Sequence, residues 1–235
     1  LRLSTFRCEP LSNSQGTNNR TLQESAPVFT DDFARVFKTL LTWRRDVRRF
    51  KTDPIAHGEL LNILEQADLA PSVGNSQPWR IVRVRGSDAR RTVAETFENE
   101  NAKAASAYGE KRASLYYTLK LAGLREAPEH LAVFCDPNTH QGDGLGRQTM
   151  PETMAYSVVG MVQTLWLAAR IKGIGVGWVS ILDPAAIHKA LNIPDTWQFI
   201  GYLCLGYPEE EHIEPELQRA GWQGRTPMSD RLFER

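Results

Sequence analysis

The segment TMPETMAYSVVGMVQTLWLAARIKG, residues 149–173, admits two incompatible interpretations: a membrane span or the central helix of a globular core. Its most apolar part, Met154 to Ile171, is interrupted by Tyr156, Ser157, Gln163, Thr164 and Arg170. That pattern suits a helix buried among protein side chains better than one facing lipid. Thr149 and Glu152 have the T-x-x-E spacing of a capping box, with Pro151 in the first turn and Gly173 as the stop. A helix from Thr149 to Lys172 exceeds about 30 Å at ~1.5 Å per residue. Its buried side is expected to carry Val158, Val162, Leu165, Trp166 and Ala169.

Outward from this helix the chain alternates without a regular βαβ rhythm. On the C-terminal side, GVGWVSI (175–181) reads as a strand, Asp183-Pro184 caps a short helix, and FIGYLCLGY (199–207) is the last strand. On the N-terminal side, the loop 136–148 follows a short buried strand, LAVFC (131–135). Tyr108–Gly123 reads as a helix with Leu115, Leu119 and Ala122 on one face, Ala89–Ala104 as a polar helix, and WRIVRV (79–84) as a strand. APSVGNSQPW (70–79) is a loop by its Pro, Gly, Ser and Asn content. A helix is expected from Asp53-Pro54 with Leu60, Leu61, Leu64 and Ala67 inward. Another is expected from an N-cap at Thr30 to near Trp43, its Phe33, Val36, Phe37, Leu40 and Leu41 facing the core. Residues 1–28 read as a mobile arm, 29–207 as one domain, and 208–235 as a charged arm able to wrap a neighbour. The fold expected is α+β, a helix–sheet–helix sandwich around the long helix.

Composition narrows the function. With 28 basic and 28 acidic residues in 235, nothing argues for a nucleic-acid or membrane partner. Cys8, Cys135 and Cys204 lack CxxC spacing, and the five histidines show no HExxH, so no metal and no disulfide framework is expected, and a cytoplasmic setting is the natural one.

Four stretches remain that carry chemistry. GDGLGR (142–147) has G-x-G-x-G spacing and stands far from the preceding strand, so it is a loop and not a dinucleotide fingerprint. RRDVRRF (44–50) sets Asp46 among Arg44, Arg45, Arg48 and Arg49. Arginines in such a cluster either grip a phosphate or form a solvated face paired with Asp53 or Glu59. Ser72, Asn75, Ser76 and Gln77 crowd hydrogen-bonding groups into one loop. Gly175 and Gly177 permit close approach to the next strand, either by a flat ring or by tightly packed protein. Ser180 has no neighbouring base, and GWVSI is not a nucleophile elbow.

RRDVRRF, PSVGNSQPW, GLGRQTMPET and GVGWVSI, in this order and spacing, make the chain resemble the nitroreductase-like flavoproteins over roughly residues 30 to 225. Aspartate directly after the paired arginines, GLGRQTMPET and GWVSI are similar to the flavin-fragmenting branch of that family. The resemblance implies a three-layer αβα sandwich with a central mixed sheet and exchanged terminal arms. It implies a homodimer with flavin sites shared between subunits. Arg44, Arg45 and Arg48, with Val47 beside them, would hold the FMN phosphate, Ser72 would reach from the partner, and Arg219 or Arg225 would complete the phosphate site. Gly177, Trp178, Val179 and Ser180 would lie against the ring, with Tyr116, Tyr117 and Leu121 in a lid. Asp46 and Ser180 would be the functional polar residues, with the arginines keeping Asp46 ionised. The activity implied consumes reduced FMN as substrate, with dioxygen as co-substrate and a separate flavin reductase as supplier. The products would be 5,6-dimethylbenzimidazole and D-erythrose 4-phosphate. The alternatives are an NAD(P)H-dependent FMN nitroreductase, a reductive dehalogenase, and a flavin carrier or sensor without turnover.

Overall fold

The computed structural model describes residues 26–119 and 123–235. Nearly all of the expected first arm, together with Leu121, lies outside the described residues. Helices α1 (Asp31–Trp43) and α2 (His57–Ala67) precede strand β1 (Trp79–Arg83) and helix α3 (Ser87–Ser106). Then come α4 (Glu110–Thr118), α5 (Gly123–Glu126), β2 (Glu129–Cys135) and α6 (Thr153–Ile171). β3 (Gly175–Val179), α7 (Pro184–Leu191), β4 (Gln198–Gly206) and α8 (Glu216–Arg219) complete the order.

The strands form one sheet in the order β1-β2-β4-β3. Every strand pair is antiparallel. The parallel component expected of a mixed sheet is confined, among the described residues, to a single bridge between Asp46 and Val176. Alternation along the strands supplies two cores. Leu131, Val133, Cys135, Leu203 and Leu205 face α2 and α6, whereas Ala132, Phe134, Tyr202 and Cys204 face α5, α7 and Val93 of α3. The result is helix, sheet, helix, as expected. The one buried histidine pair is satisfied: His130 Nε2 donates to Ala127 O, which leaves Nδ1 to accept from the Tyr202 hydroxyl, each at 3.0 Å. Burial pulls the His130 pKa down to about 4, so the ring is neutral.

α6 is the core helix that its sequence announced. Val158, Val162, Leu165 and Ala169 are fully buried, and Trp166 is nearly so. It is long and apolar enough to cross a membrane by length and composition, yet half of that stretch is enclosed by the protein. The capping box does not form. Thr153 N and Met154 N bond back to Met150 O and Pro151 O in tight turns, so the helix starts at Thr153 with Glu152 as its cap residue. Gly173 (φ +70°) follows its end.

Three further expectations are corrected. α2 starts at His57, not at Asp53-Pro54, and presents Leu60, Ile63 and Ala67 to the core, while Leu61 is exposed. The helix expected over 108–123 is two helices, because Leu119 (ψ 87°) leaves the helical conformation. α1 has the expected bounds, and Thr30 accepts from Phe33 N, but none of its residues is buried. Its apolar side overhangs the C-terminal half of α6, and Phe33, Val36, Phe37, Leu40, Leu69 and Leu167 line a groove of ≈ 850 Å³. Periodicity gave the face correctly. Nothing within the described residues covers it.

Candidate functional site

Beyond α1 the chain turns extended at Arg44 (ψ 116°) and runs along β3, which is an edge strand of the sheet. Val47 N donates to Val176 O at 3.0 Å, and Lys51 N to Tyr207 O at 2.8 Å, so residues 46–51 cover that edge. The approach is very close. A Cβ on Gly177 would lie 2.2 Å from Val47 O. The space that Gly177 leaves is therefore filled by the protein's own chain, which decides the sequence reading in favour of tight packing over a ring laid on that glycine. Trp178 is half-buried with its ring over Gly201, and Val179 is buried on the opposite face of the sheet.

The same path divides the arginines. Arg48 Nε lies 3.4 Å from Asp46 Oδ2 and 3.7 Å from Glu216 Oε2, and Arg49 Nη2 lies 2.7 Å from Glu210 Oε1. The carboxylates that meet the cluster are thus those of the tail, not Asp53 or Glu59; Glu59 pairs instead with Lys172. Arg44 and Arg45 have no carboxylate within ion-pair distance among the described residues. The Arg44 guanidinium stands 5.0 Å from the Trp166 ring centroid, and Arg45 Nε donates to Ile213 O at 2.7 Å. Trp166 Nε1 in turn donates to Arg45 O at 3.1 Å, fixing the backbone between the two guanidiniums. Burial lowers the pKa of Arg44, opposed by Asp46 and reinforced by Arg225. Burial, Arg44 and Arg225 together lower that of Arg45. Arg44 and Arg45, which have no direct ion pair among the described residues and feel the charge of Arg225, form a cationic group that an anion would relieve. Of the two tail arginines, Arg225 joins this group, whereas Arg219 faces Glu210 at 3.8 Å.

Asp46 stands between the two pairs. Its Oδ1 accepts from Trp178 N at 2.9 Å and its Oδ2 from Arg48 Nε. The side chain remains 37% open to solvent contact, yet it sits deep among neighbouring atoms, and that surrounding low-dielectric mass governs its charge. Desolvation raises its pKa. The Trp178 amide and Arg48 oppose the rise, and Glu216 adds to it. Arg48 thus favours the ionised form, as expected of the arginines, while desolvation is the larger effect and sets the upward direction. A carboxyl whose pKa is raised holds a proton more readily than an ordinary aspartate, which suits it to proton transfer. Ser180 lies exposed just past β3, two residues beyond the Trp178 amide that holds Asp46. Both polar residues therefore belong to the β3 edge.

Ser72 is elsewhere. Its Oγ accepts from Gln77 N, and its neighbour Val73 N donates to Ser157 Oγ near the start of α6. Ser157 and Trp166, which supports the arginines, stand ~14 Å apart along that helix at ~1.5 Å per residue. One chain does not bring Ser72 to Arg44. In the expected lid, Tyr116 OH donates to Asn101 Oδ1 at 2.7 Å, and the Tyr108, Tyr116 and Trp222 rings cluster with Arg112 at 4.4 Å from the Trp222 centroid. The Tyr117 side chain lies outside the described residues. Trp166, Trp222 and Glu216 were not singled out as site residues. The signal for Trp166 was absorbed by its core periodicity, and the tail offered no pattern that would mark the other two.

Comparison with known proteins follows the geometry. The model of the Nitroreductase family matches residues 41–207, from the end of α1 to the residue after β4. The chain belongs to the nitroreductase family. Among curated members of that family, it is 54% identical to 5,6-dimethylbenzimidazole synthase of Rhodospirillum rubrum, over 86% of this chain and 96% of the relative. It is 46% identical to the 5,6-dimethylbenzimidazole synthase of Rhodobacter capsulatus, over 80% and 91%. Among solved structures, iodotyrosine deiodinase bound to FMN and 3-iodo-L-tyrosine superposes with a TM-score of 0.63 at 26% identity, covering 74% of this chain and 91% of that one. The nitroreductase fold accounts for the three layers.

Proposed function

We propose that this chain makes 5,6-dimethylbenzimidazole by the oxygen-dependent fragmentation of reduced FMN, with D-erythrose 4-phosphate and a fragment carrying the remaining pyrimidine-ring atoms as the other products, for the lower ligand of cobalamin. The observation that carries the reading is the juxtaposition of Arg44 and Arg45, which make no direct ion pair among the described residues and feel the charge of Arg225, with the partly buried Asp46 carboxyl at the β3 edge. It occurs in a chain 54% identical to a curated synthase. FMN is the substrate here, and the oxidising power comes from dioxygen.

The residues have separable tasks. Arg44, Arg45 and Arg225 bind the phosphate, and charge-assisted hydrogen bonds orient the rest of the molecule from that fixed end. Arg48 holds the Asp46 carboxyl in place, and the Trp178 amide holds it from the other side. Asp46 accepts a proton released as the ring system breaks up. Ser180, free at the strand end, orients a polar atom of the substrate. The segment around Tyr108 and Tyr116 closes over the ring and keeps water from the reacting centre. Ser72 comes from a second copy of the chain. The distance that separates it from the arginines and the uncovered apolar side of α1 both favour a homodimer, in which residues 29–207 form the flavin domain and the 208–235 arm packs on the partner. A separate flavin reductase supplies the reduced flavin in the cytoplasm.

The test is a single turnover. Protein mixed anaerobically with reduced FMN is exposed to air, quenched, and its products separated by mass. The expected result is one dimethylbenzimidazole for each flavin lost. Asp46→Asn and Ser180→Gly are expected to bind FMN as the parent does and to lose at least about 100-fold in product, the scale of a lost acid–base group. Recovery of intact flavin with NADH-driven reduction of a nitroaromatic would replace this reading with the reductase; neither activity would leave a carrier.

A further inference from the structure

The loop containing GDGLGR has no part in the chemistry above, yet it is built into the neighbour of the site. It and the Ser72 loop leave the ends of adjacent strands, since Trp79 pairs with Cys135 across β1 and β2. Asp136 N bonds to Pro78 O at 2.8 Å, and Asp136 Oδ2 pairs with Arg80 at the same distance, tying the two loops together at their base. At their tips they interlock. A Cβ on Gly142 would lie 2.5 Å from Gly74 O, so only glycine allows the two backbones to meet there.

The Ser72 loop is strained. Gly74, Asn75 and Gln77 have φ of +57°, +53° and +43°. Asparagine tolerates the left-handed region, but glutamine has no local side-chain bond that favours it. Such conformations persist only where the surroundings over-determine them. Here the surroundings are specific. Gln141 Nε2 donates to Asn75 O at 2.9 Å and to Gln77 Oε1 at 2.7 Å, reaching both strained non-glycine residues with one amide. Beneath, Ser157 Oγ accepts from Val73 N at 3.0 Å. Arg147 Nη1 bonds to Pro137 O and Thr139 O, closing the neck of the loop that presents Gln141.

We propose that Gln141 is a positioning residue, which holds the Ser72–Gln77 loop in the strained shape that contacts the flavin. The proposal rests on the reading of that loop as a flavin contact. Its consequence is that Gln141 affects substrate affinity without touching substrate, through the geometry of the neighbouring loop.

Gln141 is exposed, so its replacement leaves the core untouched. The variants are Gln141→Ala and the isosteric Gln141→Glu, which keeps the shape and removes both donated hydrogens. Gln77→Ala removes one acceptor, and Gln148→Ala, exposed on the same segment, is the control. Amide exchange of peptides spanning 72–77 is followed by mass spectrometry without flavin, and reduced-FMN KM and kcat are measured beside it. Each hydrogen bond lost is expected to weaken binding about fivefold, so KM rises by roughly 25-fold in both Gln141 variants and about fivefold in Gln77→Ala. kcat stays within about twofold, since the lost binding is common to ground and transition states. Exchange at 72–77 quickens in all three, and Gln148→Ala matches the parent. Unchanged exchange, or quickened exchange with an unchanged KM, overturns the proposal. Arg44→Ala is run alongside: parental FMN affinity in that variant would sink the phosphate-site reading itself, separately from any result at Gln141.

Discussion

Arg44 and Arg45 on one side of Asp46-Val47, and Arg48 and Arg49 on the other, are the same residue type in opposite circumstances. The second pair is spent on the protein, Arg48 against Asp46 and Glu216, Arg49 against Glu210 and Glu216. The first pair meets a tryptophan face and a backbone carbonyl, makes no direct ion pair among the described residues, and feels the like charge of Arg225. The lesson is that a run of arginines is not one feature. The members proposed to meet the ligand are those that the fold leaves without a direct ion pair among the described residues, although acids lie nearby.

The widest separation between the two pairs is expected in affinity. Arg44→Ala removes charge-assisted bonds worth about 1.5–3 kcal/mol, so FMN binding by fluorescence quenching should weaken roughly 10- to 100-fold while riboflavin binding stays put. Equal losses for both ligands would erase the distinction. A middle effect belongs to Arg48→Ala. The Arg48 guanidinium favours the charged form of Asp46, and its loss leaves desolvation less opposed, so the Asp46 pKa rises further. If Asp46 works as a carboxylate, activity falls as pH drops through that pKa, and the acid limb of the kcat profile moves to higher pH in the variant. A limb that moved to lower pH would remove Arg48 from this role. The smallest effect is that of Arg49→Ala. Its pairing with Glu210 is partly exposed and contributes at most about 1 kcal/mol, so FMN affinity should hold within about twofold, with only a small drop in melting temperature. A loss of affinity as large as that of Arg44→Ala would mean that the four arginines act as one cluster after all.

Much of the scaffold was legible because it rests on local pattern. α6, the four strands and the Thr30 and Asp183 caps follow from periodicity and capping chemistry, and Asp183 indeed accepts from Ala185 N. The arginine cluster was legible too, but its division was not. The acids that neutralise Arg48 and Arg49 lie in the tail, some 160 residues downstream, and no local rule reports which of four neighbours a distant carboxylate reaches. The direction of the Asp46 shift was not legible for a related reason. Sequence displays the adjacent charges, but the desolvation that is the largest cause of the rise comes from tertiary packing. In α1 the amphipathic face was read correctly and its covering was not, since periodicity marks which side is apolar without saying which body lies against it. Gly177 was read as a point of close approach, correctly, and only the coordinates name Val47 as what approaches.

That contact has a mechanical corollary. Because the carbonyl of Val47 nests where a side chain at 177 would stand, the stretch carrying Arg44, Arg45 and Asp46 is seated directly on the sheet rim. A lone methyl group added at 177 would touch neither phosphate nor proton. It would nonetheless displace the Val47 carbonyl and the stretch beside it, so Gly177→Ala is expected to lower FMN affinity and product yield together.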